Sequence, residues 1–149
     1  MSEPIWVLVT AAVLIVMGMA LFTWRLQQSD PASHTRRVAE LRLANTTALL
    51  LAATGAVYVG LAVAGSATPA AAIDIAIGLV CLGAGGVALH RDPRESLLLL
   101  TAAFTLHALV DIAHRPGGLP PEVVPRWYSV GCAVFNVGIA ALCYWARRR

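Results

Sequence analysis

Three ionisable side chains, His107, Asp111 and His114, close a long apolar run, in the stretch Thr-Leu-His-Ala-Leu-Val-Asp-Ile-Ala-His-Arg-Pro-Gly-Gly that begins at Thr105. On a helix, offsets of four and seven residues return almost to one azimuth, so the three share a stripe. Imidazole and carboxylate suit zinc or another transition metal. Asp74 is a further ligand for such a site, and an open position there could activate water. A His–Asp pair, His107 with Asp111, could instead do general acid–base work on a lipid or isoprenoid ligand. A third arrangement does no chemistry. In it Asp111 pairs with Arg115 or Arg126, His107 bonds a carbonyl or Asn136, and His114 meets water. A transport path or a quinone site are further readings. Haem held by histidines on facing helices is disfavoured, because the other two histidines, His34 and His90, fall elsewhere.

The surroundings make these residues conspicuous. Of 149 residues, 58% are hydrophobic and 13% charged, against about a quarter charged in a soluble domain. That deficit predicts an integral membrane protein, where ionisable groups inside a span are costly. The net charge of +3 comes from the flanks of the apolar runs, which excludes nucleic acid as its cause. All eleven basic residues are arginine, a bias that suggests a GC-rich bacterial genome. Cys81, Cys132 and Cys143 lie within apolar runs, with no spacing of a disulfide framework or zinc ribbon. The first apolar run is too long for a signal-peptide core, and no basic residue precedes it.

Five apolar segments must position the cluster, at about 5–26, 43–64, 70–89, 94–114 and 125–145. Each is close to the ~20 residues that cross a ~30 Å hydrocarbon layer. The expected fold is an all-α bundle of five transmembrane helices in a single domain, 1–149. Trp6 and Trp24 bracket the first span, which reads as an anchor, and Trp127 and Tyr128 open the fifth. Asp30-Pro31 reads as a cap and first residue of a second helix that runs unbroken into its span. Arg36 and Arg37 can pair with Glu40, and as a flank they are expected to be solvated. Thr47, Thr54 and Tyr58 share a helix-packing stripe, and Thr68-Pro69 repeats the cap-then-proline signal.

On the third span Asp74, Gly78, Cys81 and Gly85 share a face of small residues that lets another helix come close. Asp92-Pro93-Arg94-Glu95 is a capping-box pattern that starts the fourth. Arg115-Pro116-Gly117-Gly118 stops it. Asn136 is the strongly polar residue of the fifth span, with Ser129 on the same face.

Nine of the eleven arginines lie on alternate flanks, at 25–42, 91–94 and 147–149. The positive-inside rule then puts the N-terminus outside and the C-terminus in the cytoplasm, which five spans satisfy. This topology brings His107, Asp111, His114, Asp74, Asn136 and Ser129 to the outer half of the bundle. It sends His34 and His90 to the other side, about a membrane thickness away. His107 is the deepest titratable group, roughly 8–10 Å below its helix end, and is expected to be hydrogen-bonded or bound to something.

The segment His107-Ala-Leu-Val-Asp111-Ile-Ala-His114, followed by Val124-Pro125-Arg126-Trp127-Tyr128 and a polar residue in the next helix, resembles a group of small uncharacterised bacterial multi-pass membrane proteins. The resemblance covers about the last third of the chain. It implies a recurring His/Asp/His constellation near the outer surface, with Asp expected at the place of Asn136, and it implies no activity. The remaining expectations are inner-membrane localisation and contact with the lipid bilayer. Other membrane subunits or a second copy are the partners to expect, and an accessory subunit of a larger complex is the alternative to a site-bearing protein.

Overall fold

The computed structural model describes residues 3–65, 69–114 and 126–148. Among them are five helices: α1 (Glu3–Gln27), α2 (His34–Ala64), α3 (Pro69–Leu89), α4 (Pro93–Ala113) and α5 (Arg126–Arg147). All five are long and apolar enough to cross a membrane. With 31 residues α2 is about 46 Å long, so it extends beyond a ~30 Å layer by several turns.

Local chemistry sets the ends. Ser33 caps α2, its Oγ accepting from the backbone N–H of Arg36 at 3.2 Å. The expected cap, Asp30, instead accepts from the N–H of Ala32 at 2.9 Å, so Asp30 and Pro31 belong to the turn that precedes the helix. Asp92 caps α4 as expected, accepting from the N–H of Arg94 with Pro93 at the first helical position. Glu95 pairs through its side chain with Arg91 at 3.6 Å. The Thr68 cap and the Arg115–Pro125 loop lie outside the described residues.

Two helix pairs carry most of the packing, α2 with α3 and α4 with α5, and both α2 and α3 also lie against α4. The buried stripe of α3 is Ala71, Asp74, Gly78, Cys81, Gly85 and Ala88, alternating steps of three and four. Here the helices meet at backbone distance. A Cβ on Gly55 would lie 2.6 Å from the Gly78 carbonyl oxygen, and one on Gly78 2.6 Å from that of Gly55. At Gly85 a Cβ would lie 2.9 Å from the Ala48 oxygen. Contact this close sums many van der Waals terms between the two backbones and holds the helices together.

The core between the pairs is Leu43, Leu51, Leu97, Leu100, Phe104 and Ile139 with small residues around them. By contrast α1 buries only Met19, Thr23 and Leu26 among its described residues, all in its second half, and lies against α5 and α2.

The end where α1 finishes is tied by polar groups. Arg36 is not a solvated flank: it is 1% exposed. Its Nε donates to Glu40 Oε1 at 3.0 Å, and its Nη1 to the carbonyls of Leu26 and Ser29 at 3.2 Å each. It thus ties the start of α2 to the last turn of α1, where the Leu26 carbonyl also accepts from the N–H of Ser29 at 3.2 Å, and to the turn that follows. Gln27 donates to the Trp145 carbonyl at 2.9 Å, and Ser96 Oγ to the Ala88 carbonyl at 2.6 Å. The first links α1 to α5 and the second α3 to α4.

Candidate functional site

The polar cluster lies where α4 finishes, between α2, α3, α4 and α5. Asp111 is its centre. One carboxylate oxygen accepts the phenol hydrogen of Tyr58 from α2. The other accepts from Asn136 Nδ2 of α5 at 2.8 Å. The same amide nitrogen lies 3.5 Å from Cys132 Sγ, one turn earlier on α5.

One turn before Asp111 on α4, His107 presents its two nitrogens differently. Nδ1 lies 3.2 Å from Cys81 Sγ of α3. Nε2 is buried without a hydrogen-bond partner and lies 3.8 Å from Asp111 Oδ1. At that distance it is not hydrogen-bonded.

His114, at the C-cap of α4, is paired with α3. Its Nε2 is 2.9 Å from Asp74 Oδ1, and its Nδ1 is 2.9 Å from the Val110 carbonyl. The carbonyl contact requires the proton on Nδ1, so uncharged His114 would present the Nε2 lone pair to Asp74 and a charged one would donate to it. The Tyr58 ring stands edge-on to both histidines, with centroids 4.8 Å from His107 and 5.8 Å from His114. Tyr58, Asp74, His107, Asp111, His114 and Asn136 are each between 0 and 3% exposed.

Several sequence expectations change here. Asp111 has Tyr58 and Asn136 as its close partners, while Arg126 is exposed and Arg115 lies outside the described residues. His107 meets Cys81 rather than a carbonyl or Asn136, because α3 runs at backbone distance from α2 and so brings its small face to α4. His114 is not wet; the first turns of α3 bury it against Asp74. The expected ligands thus fall into two pairs, His107 with Asp111 and His114 with Asp74. Ser129 is buried on the face of α5 that carries Cys132 and Asn136.

Three residues were not foreseen in the cluster: Tyr58, Cys81 and Cys132. Ser129-x2-Cys132-x3-Asn136 is one stripe of α5 at spacings of three and four, a signal that could have found Cys132. Tyr58 carried no such signal, since a tyrosine in a packing stripe and one that bonds a carboxylate look alike in sequence.

Among the described residues, one group offers metal-ligand atoms in common reach: His107, Asp111 and Cys132, all within 4.8 Å of one another. No protein-family model, curated protein or solved structure matches the chain. The chemistry of the site therefore rests on its own atoms.

Proposed function

We propose that the chain is a multi-pass protein of a bacterial inner membrane, with its N-terminus outside and its C-terminus in the cytoplasm. Its working site is the buried cluster around Asp111, in the outer half of the bundle. The arginine distribution supports the orientation. One observation carries the site. Six polar side chains from four helices converge at one end of a largely apolar bundle, each almost fully withdrawn from solvent. Polar groups inside a membrane bundle are costly and mark sites by default.

The arrangement suits binding a small ligand or handling a proton. Tyr58 and Asn136 hold the Asp111 carboxylate from two sides, and His107 offers it an imidazole nitrogen that nothing else engages. A lipid-like substrate reaching in from the outer leaflet would meet the His114–Asp74 pair at the helix end first, then His107 and Asp111.

The test is complementation by the double change His107→Leu, Asp111→Asn. The variant is expected to insert and to unfold at a similar temperature, because an amide at position 111 keeps an oxygen that accepts from Tyr58, and the imidazole removed at position 107 has an Nε2 that bonds nothing. It is also expected to fail to restore the phenotype of a deletion strain. A stable variant that restores it fully would remove the site from consideration.

One observation favours a second reading, an accessory subunit. Trp6, Val7, Val13, Leu14, Met17 and Leu21 of α1 remain exposed and apolar, and the first half of that helix is unburied within the chain. Another membrane subunit could cover this face. A stoichiometric partner retained through purification in mild detergent, and lost when Leu14 and Met17 are made bulky, would support it.

A further inference from the structure

We propose that His107 Nε2, Asp111 Oδ1 and Cys132 Sγ bind a divalent transition metal of the zinc class, with Cys81 orienting the imidazole. This deepens the reading of the Asp111 cluster as a working site and rests on it.

The first argument is the unengaged nitrogen. His107 Nε2 is buried, without a hydrogen-bond partner, and faces Asp111 Oδ1 at 3.8 Å. Metal-bound histidines typically donate from the other ring nitrogen to a group that fixes their tautomer and ring angle. Cys81 Sγ, 3.2 Å from Nδ1, occupies that place. With the proton on Nδ1 donated to sulfur, the Nε2 lone pair is left for a ligand.

The second argument is donor type and spacing. Zinc takes imidazole nitrogen, carboxylate oxygen and thiolate sulfur at about 2.0–2.3 Å, so tetrahedral ligand atoms sit about 3.3–3.7 Å apart. The His107–Asp111 distance is within a few tenths of an ångström of that range. The three-atom group spans up to 4.8 Å, so Cys132 must close in by about an ångström, a side-chain adjustment. Asp111 is already oriented by Tyr58 and Asn136, and Asn136 also reaches Cys132 at 3.5 Å. These are the outer partners that position ligands at metal sites.

The third argument is charge. Binding deprotonates Cys132 and releases that proton. A divalent ion with one thiolate, one carboxylate and one neutral imidazole then sums to zero. A neutral assembly is the one that an apolar bundle buries at least cost. A monovalent copper ion would leave one negative charge over, which disfavours it. Three protein ligands leave a fourth position for an exogenous ligand, the pattern of zinc sites that act on a bound molecule.

The full chain in detergent, stripped with chelator and reloaded with zinc or cobalt(II), tests this. The native chain should retain about one equivalent through gel filtration, and cobalt should give a thiolate-to-metal charge-transfer band in the near ultraviolet. Cys132→Ser should abolish the band and cut retained metal about tenfold or more. Cys143→Ser, a control at the opposite end of α5, should leave both unchanged. Cys81→Ser should keep the band and weaken affinity about tenfold. Cys132→Ser is close to isosteric, so the test does not depend on a folded His107→Ala chain. Failure of the native chain to retain metal, or a band and metal content unmoved by Cys132→Ser, overturns the site. If metal is absent but the stable His107→Leu, Asp111→Asn chain still fails to complement, the cluster remains the working site without a metal. If that chain complements, both readings fall.

Discussion

Two buried polar regions among the described residues sit at opposite ends of the bundle and are finished in different ways. At the end where α1 stops, Arg36 spends its donors on Glu40 and on the carbonyls of Leu26 and Ser29. Glu40 in turn lies 3.7 Å from Arg94. Opposite charges meet there, and one guanidinium ties two helices and the turn between them. At the other end, Asp111 is held by neutral donors, Tyr58, Asn136 and the Cys132 thiol, and the nearest imidazole nitrogen is directed at it without bonding it.

Both regions hold buried atoms without partners: Thr23 Oγ1, Gln27 Oε1 and Arg36 Nη2 in one, Asp74 Oδ2, His107 Nε2 and Asn136 Oδ1 in the other. Their number therefore separates nothing; their chemistry and depth do. Hydroxyl, amide and guanidinium groups at a helix terminus tie chain ends together. An imidazole two turns inside an apolar bundle, beside a carboxylate and a thiol, is the set of ligands we propose for a metal ion. Polar burial that closes a structure and polar burial that serves a site differ in what the remaining atoms can bind.

That contrast can be broken from either side. The largest stability effect should come from Gly78→Leu, since even a Cβ there meets the Gly55 carbonyl at 2.6 Å. Separating α2 from α3 should cost about 3 kcal/mol or more and carry Asp74 and Cys81 away from Tyr58, seen as lower thermal stability in detergent together with loss of any site readout. Arg36→Met should cost about 3 kcal/mol, because it removes the closer, buried partner of Glu40 and the ties to the Leu26 and Ser29 carbonyls, while leaving any property of the Asp111 site unchanged. Denaturant unfolding of the purified chain measures the first outcome, and metal retention the second.

Asp111→Asn reverses the pattern. An amide oxygen can still accept from Tyr58, so the stability change should stay within about 1 kcal/mol while metal binding and complementation are lost. An Asp111→Asn chain as destabilised as Arg36→Met, with its activity intact, would make the two regions alike. The smallest effect belongs to Arg91→Ala, whose partner Glu95 and own side chain are both more than half exposed. It should change stability by less than about 0.5 kcal/mol in the same unfolding measurement.

Much of this was legible in the order of residues. Five apolar stretches of spanning length, the proline-marked starts of α3 and α4, and the small face of α3 follow from hydropathy and local backbone chemistry, which act over a few residues. The stripe of His107, Asp111 and His114 likewise needs only the helical repeat. The cap of α2 was misplaced because Asp30 can serve either a turn or a helix start, and a three-residue difference decides between Asp30 and Ser33. By sequence Arg36 reads as a solvated flank, because burial of an arginine depends on which carbonyls another helix brings to it.

What tertiary structure alone decided is which side chains complete the site. Partners on separate helices are set by helix rotation and by how closely the backbones approach, and glycine contacts between α2 and α3 govern both. They bring Cys81 to His107 and Tyr58 to Asp111, and they pair His114 with Asp74 instead of with its own stripe. The spacing along α4 determined that a histidine–aspartate stripe exists. The packing of three other helices determined that only its first two members stand beside Cys132, because a helix fixes the azimuth of its own side chains but not what faces them.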